Sequence, residues 1–328
     1  MSVSVIIPAY NRAMLLRPTL DAVLAQTVLP DEIIVVDDGS TDGTAMVARG
    51  YGAKVKCIVT TNSGDLAARN VGLRAARGRL VAFCDSDDLW RPDFLDMMLA
   101  LWRAEPRTRS AYCDFVLVRD DVWDSDSTAK FAGAPAGYWD TLRMVGPQMG
   151  VFDVPVVDRL IRFQPFFQSC LVADRQAFLD IGGWDEGVAR LVGSDFATTL
   201  RLAEHPPVGV LRRPLVGIRK HAGNYSADVL AMNLGDARIL EHVLATRPVL
   251  LPLAPTIRAS IARRRAEALD TAFARCDFTA VRQIATLLPP GGLAARVKRG
   301  VAALPEPARG LLAGALLALG SARRHRRP

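Results

Sequence analysis

The chain has 328 residues, half of them hydrophobic, enough for one large α/β domain with an appendage. Its formal net charge of +7 is unevenly spread: residues 231–328 hold 16 Lys and Arg against 6 Asp and Glu, and the first 230 hold 25 against 28. That split excludes a nucleic-acid groove in the main domain and points the basic tail towards an acidic surface such as anionic lipid.

Val3 to Ile7 reads as a short buried strand, stopped by Pro8-Ala9-Tyr10-Asn11. Arg12 to Gln26 follows as a helix with Leu16, Leu20, Val23 and Leu24 on one face and Pro18 as a source of a kink. Glu32 to Val36 is a second strand, and Ser40 or Thr41 can cap a helix over Thr44 to Arg49. Val55 to Val59 is a third strand, broken by Asn62-Ser63-Gly64. Asp65 to Arg77 is a helix ended by Gly78, and Arg79 to Cys84 is a fourth strand. Pro92 opens a helix to about Arg103. Strands alternate with helices, so a mostly parallel, Rossmann-like sheet flanked by helices is expected.

Ser110 to Val118 is another strand. Residues 119–165 show no clear period and read as an insertion or an active-site loop region. Phe166 to Ala173 reads as extended, Arg175 to Ile181 and Ser194 to Ala203 as helices, and Val208 to Lys220 as one or two strands around Pro214. After about residue 230 the pattern becomes Ala/Leu/Arg helices broken by prolines. The expected division is a catalytic domain over 1–228 and a basic, mainly helical region over 229–328.

The five cysteines, at 57, 84, 113, 170 and 276, are odd in number and widely spaced. They read as thiols of a reducing compartment, not a disulfide framework or a zinc site. The strand pattern starts at Val3, so no signal peptide is expected. The uncharged apolar run Gly310 to Ala322 is 13 residues, short of the roughly 20 a membrane span needs. The expected location is the cytoplasm, with peripheral attachment at the inner face of the cell membrane.

The chemistry concentrates in Asp85-Ser86-Asp87-Asp88, directly after the apolar run Leu80 to Cys84. Strands of α/β sheets open onto their ligands at this end. Asp85 and Asp87 point to one side if strand geometry persists, and carboxylates so close repel unless a cation lies between them. Oxygen ligands of this kind suit Mg²⁺ or Mn²⁺ completed by a substrate phosphate. A solvated acidic turn with Asp88 near an N-cap fits the same residues, and both readings stand. Asp37-Asp38 before Gly39 is either a turn signal or a ligand pair at a strand end. Asp195, at a helix start, is either an N-cap or a base.

Four stretches in order carry a resemblance: Pro8-Ala9-Tyr10-Asn11-Arg12; Val36-Asp37-Asp38-Gly39-Ser40-Thr41-Asp42-Gly43-Thr44; Asn62-Ser63-Gly64 with Ala68-Arg69-Asn70; and Asp85-Ser86-Asp87-Asp88. Together the chain resembles the family 2 glycosyltransferases of GT-A fold over about residues 2–225. A fifth stretch, Gly182-Gly183-Trp184-Asp185-Glu186 followed by Ser194-Asp195, looks like the family's acceptor-side segment. The resemblance implies inverting transfer of a sugar from a nucleotide-sugar, most often a UDP-sugar, with Mn²⁺ or Mg²⁺. The acceptor would be a saccharide or lipid-linked hydroxyl in polysaccharide or glycolipid synthesis.

By the same resemblance, Pro8, Ala9, Tyr10 and Arg12 belong to the loop on the base. Asp37 and Asp38 bind the nucleoside, and Gly64 and Arg69 lie near base and phosphates. Asp85, Ser86 and Asp87 form the DxD motif, with Asp87 the direct metal ligand, Asp85 beside it and His221 a further one. Asp195 is the catalytic base, although Ser194 stands where the family commonly has Glu. Position alone, not the resemblance, places Gln168 and Ser169 on the acceptor side with Ser194 beside the base, and Trp184 is either a packing residue or faces a sugar ring there.

Two other functions use the same residues. A phosphohydrolase would take Asp85 as nucleophile and Asp87 as acid. Leu89 stands where such enzymes expect Thr or Val, and their pair follows the first strand, not the fourth. A non-catalytic nucleotide-sugar-binding module would have no use for both Asp87 and Asp195. A dinucleotide oxidoreductase is disfavoured, since no Gly-x-Gly-x-x-Gly follows Ile7.

Overall fold

The computed structural model describes residues 1–221, 223–224, 228–289 and 291–324, with side chains to residue 318. The chain divides into two compact units: Met1–Arg190 with Ser194–Asn224, and Leu191–Gly193 with Tyr225–Pro328.

The first unit is built on a mixed sheet with the strand order β3-β2-β1-β4-β10-β6-β11-β9-β8. Its strands are β1 (Val3–Ala9), β2 (Glu32–Asp37), β3 (Lys56–Val59), β4 (Leu80–Phe83), β5 (Leu89–Trp90), β6 (Ser110–Arg119), β7 (Val122–Trp123), β8 (Arg143–Gly146), β9 (Met149–Phe152), β10 (Leu171–Asp174) and β11 (Val208–Lys220). β3, β2, β1 and β4 are mutually parallel, as are β6 and β11, while β10 runs antiparallel between β4 and β6. The parallel strands β1, β2 and β4 are buried at nearly every position, which is why they read as unbroken apolar runs.

The helices of this unit are α1 (Ala13–Leu24), α2 (Thr44–Arg49), α3 (Asp65–Ala75), α4 (Phe94–Ala104), α5 (Val157–Arg162), α6 (Arg175–Asp180) and α7 (Asp195–Ala203). α1 runs through Pro18, burying Leu16, Leu20 and Val23. α3 packs close to the sheet because Gly72 has no Cβ; one added there would meet Ile6 Cγ2 at 2.4 Å.

Three expectations change. The expected cap of α2 by Ser40 or Thr41 is not made: Gly43 is the N-cap and brings no side-chain bond, while Asp42 Oδ1, one residue before it, accepts from Thr44 N at 3.0 Å. Residues 119–165 contain the β8–β9 hairpin and α5. Within the stretch expected to be extended, Gln168–Cys170 is a 3-10 turn and only Leu171–Asp174 is strand. Val208 to Lys220 is one strand. Its register with β6 shifts on both sides of Pro214, which has no N–H for the ladder. Around this irregularity its other edge changes partner, from β9 at Val208–Leu211 to β5 at Val216–Gly217.

The second unit is helical: α8 (Val229–Thr246), α9 (Ala254–Ala274), α10 (Phe278–Thr286), α11 (Leu293–Ala303) and α12 (Ala308–Arg324). Its core gathers Leu269, Phe273, Phe278, Val281, Ile284 and Val301. A buried ion pair, Arg264–Asp236, joins α9 to α8. The last basic run, Arg323-Arg324-His325-Arg326-Arg327, lies outside the described side chains. Among the described residues, no helix is long and apolar enough to cross a membrane. All five cysteines are free thiols, with Cys84, Cys113 and Cys170 buried.

Candidate functional site

The topology brings five segments to one edge of the sheet. β1, β2 and β4 end there in parallel, so the loops 10–12, 38–43 and 84–88 are neighbours. β10 is antiparallel to β4, so its start, Gln168 to Cys170, meets the end of β4. β6 is antiparallel to β10 and β11 is parallel to β6, so the end of β11, Arg219 to His221, returns to the same edge.

The first two loops are laced together. Ser40 Oγ accepts from Asn11 N at 2.9 Å, Asn11 Oδ1 accepts from Thr41 N at 2.9 Å, and Thr44 Oγ1 accepts from Arg12 N at 2.8 Å. Asp37 Oδ1 accepts from Ser40 N at 3.0 Å, holding the turn at Gly39. Gly39 has φ +75°, and a Cβ there would lie 2.9 Å from Asn62 N, so both backbone and space require glycine. Asp38, 3% exposed, spends its carboxylate on the next loop: Oδ1 accepts from Ser63 N at 2.9 Å and Thr60 Oγ1 at 3.2 Å, and Oδ2 from Gly64 N at 2.8 Å. Expected beside the nucleoside, it here fixes the entry to α3. Pro8 and Ala9 close β1 in the core, and the Tyr10 ring is 43% exposed.

The acids after β4 have three different environments. Asp85 is gripped on both oxygens, by Arg69 Nη2 at 2.5 Å and Gln168 Nε2 at 2.7 Å. Burial pushes its carboxyl up, against the downward pull of Arg69. Asp88 is also bonded on both oxygens, to Ser169 Oγ at 2.6 Å and Arg219 N at 3.2 Å. Burial pushes it well above the carboxylate range, and the charges of Asp87 and Asp85 add to that. Among the described residues, Asp87 has its partners on one oxygen: His221 Nε2 lies 2.9 Å from Oδ2, and Arg12 Nε forms an ion pair with it at 3.7 Å. Ser86 is buried, and its carbonyl accepts from Thr19 Oγ1 at 3.1 Å.

The supporting groups set these differences. Arg69, 3% exposed, bridges Asp65 and Asp85 and lies 5.2 Å over the Trp184 ring. Burial would lower its pKa, but the two carboxylates outweigh burial and raise it. The Arg219 guanidinium donates to the Asp87 carbonyl, to Leu15 O at 2.5 Å and to Thr19 Oγ1 at 3.0 Å, so it clamps the acid loop to α1. His221 Nδ1 accepts from Gly223 N at 3.1 Å, and its Nε2 lies 2.9 Å from Asp87 Oδ2. This contact sets the His221 ring against the carboxylate of Asp87.

One oxygen each of Asp85, Asp87 and Asp88 lies within 4.8 Å of the others. Asp85 and Asp88 are committed to protein hydrogen bonds, whereas Asp87 has an oxygen to offer. The residues fit an oxygen-seeking ion held chiefly by Asp87, the remaining ligands coming from phosphate and water.

The residues expected on the acceptor side have other partners. Gln168 holds Asp85. Ser169, fully buried, accepts from Asp85 N at 3.0 Å and donates to Asp88. Trp184, 2% exposed, packs edge-on against Phe83 and at a tilt against Phe178, a core position. Ser194 is 7% exposed and makes no side-chain cap. Asp195 opens α7, and Thr198 of that helix accepts from Asp185 N at 2.9 Å. The Asp195 charge adds to the effect of burial in raising the hydroxyl pKa of Tyr112, which pairs across β6–β10 with Leu171, two residues from Ser169. Asn70, Asp88, Thr19 and Arg219 are organising residues that the sequence reasoning missed. Asn70 carried a signal within Ala68-Arg69-Asn70: it bonds Trp184 N at 2.8 Å, Trp184 O at 2.9 Å and Glu186 Oε1 at 2.7 Å.

Asp88→Ala should destabilise the first unit. It removes the acceptor of the Ser169 O–H and of the Arg219 N–H, and a buried donor left without an acceptor costs about 1–3 kcal/mol. Denaturant unfolding checks this, and an unchanged midpoint would show that Asp88 is dispensable to the fold.

Carboxylates and guanidinium groups are thus gathered at the carboxyl ends of parallel strands, the edge at which open α/β sheets take their ligands. The family model described as glycosyl transferase family 2 matches residues 4–167, and the chain belongs to that family. Among curated relatives, TuaG of Bacillus subtilis, described as a candidate teichuronic acid biosynthesis glycosyltransferase, is 37% identical over 147 residues, 43% of this chain and 57% of its own. The first curated relatives matched are covered over less than two thirds of their lengths, one of them over 33%. Among solved structures, TarS of S. aureus in complex with UDP aligns with a TM-score of 0.59 at 19% identity, over 88% of this chain and 81% of that one. The mannosyltransferase PcManGT of Pyrobaculum calidifontis, in complex with GDP-Man and Mn²⁺, aligns with a TM-score of 0.59 at 21% identity, over 97% and 80%. These two likenesses show a shared GT-A-type fold.

Proposed function

We propose that the chain is an inverting glycosyltransferase moving a sugar from a nucleoside diphosphate sugar, with UDP the expected carrier, to a hydroxyl of a saccharide or lipid-linked acceptor. In this reading residues 1–228 carry the chemistry and 229–328 form a basic helical appendage. The supporting observation is the unequal treatment of the three acids. Asp85 and Asp88 are locked into the protein, which leaves Asp87 to face a ligand from a rigid loop.

Asp87 would hold Mn²⁺ or Mg²⁺, with His221 orienting its carboxylate. When bound, such a cation neutralises charge on the departing diphosphate. Tyr10 covers the base, Asp37 and the Gly64 loop shape the nucleoside pocket, and Arg12 and Arg69 supply positive charge near the phosphates. Asp195 takes the proton from the acceptor hydroxyl as it attacks the anomeric carbon from the opposite face. Acceptors of this kind occur in polysaccharide and glycolipid synthesis, and the names of relatives such as TuaG agree with that setting. The phosphohydrolase reading is weakened because both Asp85 oxygens are occupied. We also infer that the basic C-terminal unit meets an anionic membrane surface on the cytoplasmic side.

The test is incubation with UDP-sugars and Mn²⁺. Release of UDP is the expected result. Release of phosphate from a monoester would favour the hydrolase, and nucleotide-sugar binding without turnover would favour the binding module.

A further inference from the structure

We propose that α12, with α11 beside it, lies in the plane of an anionic bilayer, with Leu311, Leu312 and Leu316 entering the acyl region. This rests on the reading of the C-terminal unit as membrane-facing and names the face that does it.

α12 is apolar on two sides. Ala313 is buried in the core of the unit, with Leu317 packed against the same cluster. Leu311, Leu312 and Leu316 project on the other side, 74%, 47% and 36% exposed. A helix that is hydrophobic all round belongs in a core or a membrane. At 17 residues, about 25 Å long, it is too short to cross a hydrocarbon layer of about 30 Å, so it fits the interface plane. On α11, Leu293 and Val297 are exposed with Arg296 beside them.

Charge selects the occupant. Residues 278–328 hold nine Lys and Arg and a single acid, Glu306. Residues 278–328 carry a net charge of +8, so a contact between two copies of this segment would oppose like charges. An anionic lipid surface instead attracts them, and basic residues flanking an apolar helix face are what interfacial binding uses.

The experiment is sedimentation of the full chain with vesicles of phosphatidylglycerol in phosphatidylcholine, and with phosphatidylcholine alone, without nucleotide-sugar. The chain should pellet with the anionic vesicles and be released as salt is raised. Leu312→Lys adds a positive charge to an exposed position. Insertion predicts about a tenfold loss of vesicle binding, whereas purely electrostatic attachment predicts a gain. Undiminished binding of Leu312→Lys would overturn the insertion while leaving the membrane reading. No binding of the parent chain would overturn both. A parent dimer that Leu312→Lys dissociates, with no vesicle binding, would assign the face to a second copy. If Leu312→Lys loses helicity, Leu312→Ser carries the same expected loss.

Discussion

Asp87→Ala is expected to lose metal-dependent binding of nucleotide-sugar by about 100-fold or more, because even partners of metal ligands cost 10- to 100-fold when removed. The fold should survive. The Asp87 side chain supports no buried backbone, and the loop is held by Arg219 on the Asp87 carbonyl and by Asp88 on Ser169 and Arg219 N. What disappears is the carboxylate that can face a cation; Asp85 cannot substitute without leaving Arg69 unbalanced. Calorimetric titration of a UDP-sugar with and without Mn²⁺ separates the effects. Retained Mn²⁺-dependent binding in Asp87→Ala would remove Asp87 from the site. Asp85→Asn makes a useful contrast, since it disturbs the Arg69 pair and should affect stability as well as binding.

The parallel half of the sheet was legible because burial on both faces imposes continuous apolar runs, and Val3–Ala9, Glu32–Asp37 and Leu80–Phe83 have them. The β8–β9 hairpin was not. Its strands are four residues each, too short for a period, and Arg143 and Met144 are exposed. Its turn puts Gln148 at φ +57°, a conformation that glutamine does not announce. The positions of the acids after β4 followed from the sequence, but their inequality did not. It depends on Arg69, Gln168, Ser169 and Arg219, which reach them from 16 to 132 residues away. Trp184 shows the same limit. Gly182 and Gly183 turn the chain at φ +92° and +70°, and Asn70 clips the backbone of Trp184, so an aromatic in a motif becomes core.

Asp195→Asn is expected to reduce sugar transfer by about 10²- to 10⁴-fold, the usual contribution of a positioned general base. Asparagine keeps the shape of aspartate and removes only the capacity to accept the proton. Donor and metal binding should be nearly unchanged, since both are assigned to the ends of β1, β2 and β4. Asp195 is the first residue of α7, where a negative charge is worth about 0.3–1 kcal/mol, and the bond from Thr199 Oγ1 goes to its backbone carbonyl at 3.1 Å. A measurement at saturating donor and acceptor, beside a thermal melt, separates a loss of chemistry from a loss of folding. Transfer at the parental rate would take the proton from Asp195 and require a different base. A parallel fall in donor affinity would mean that Asp195 acts on the nucleotide-sugar and not on the attacking alcohol.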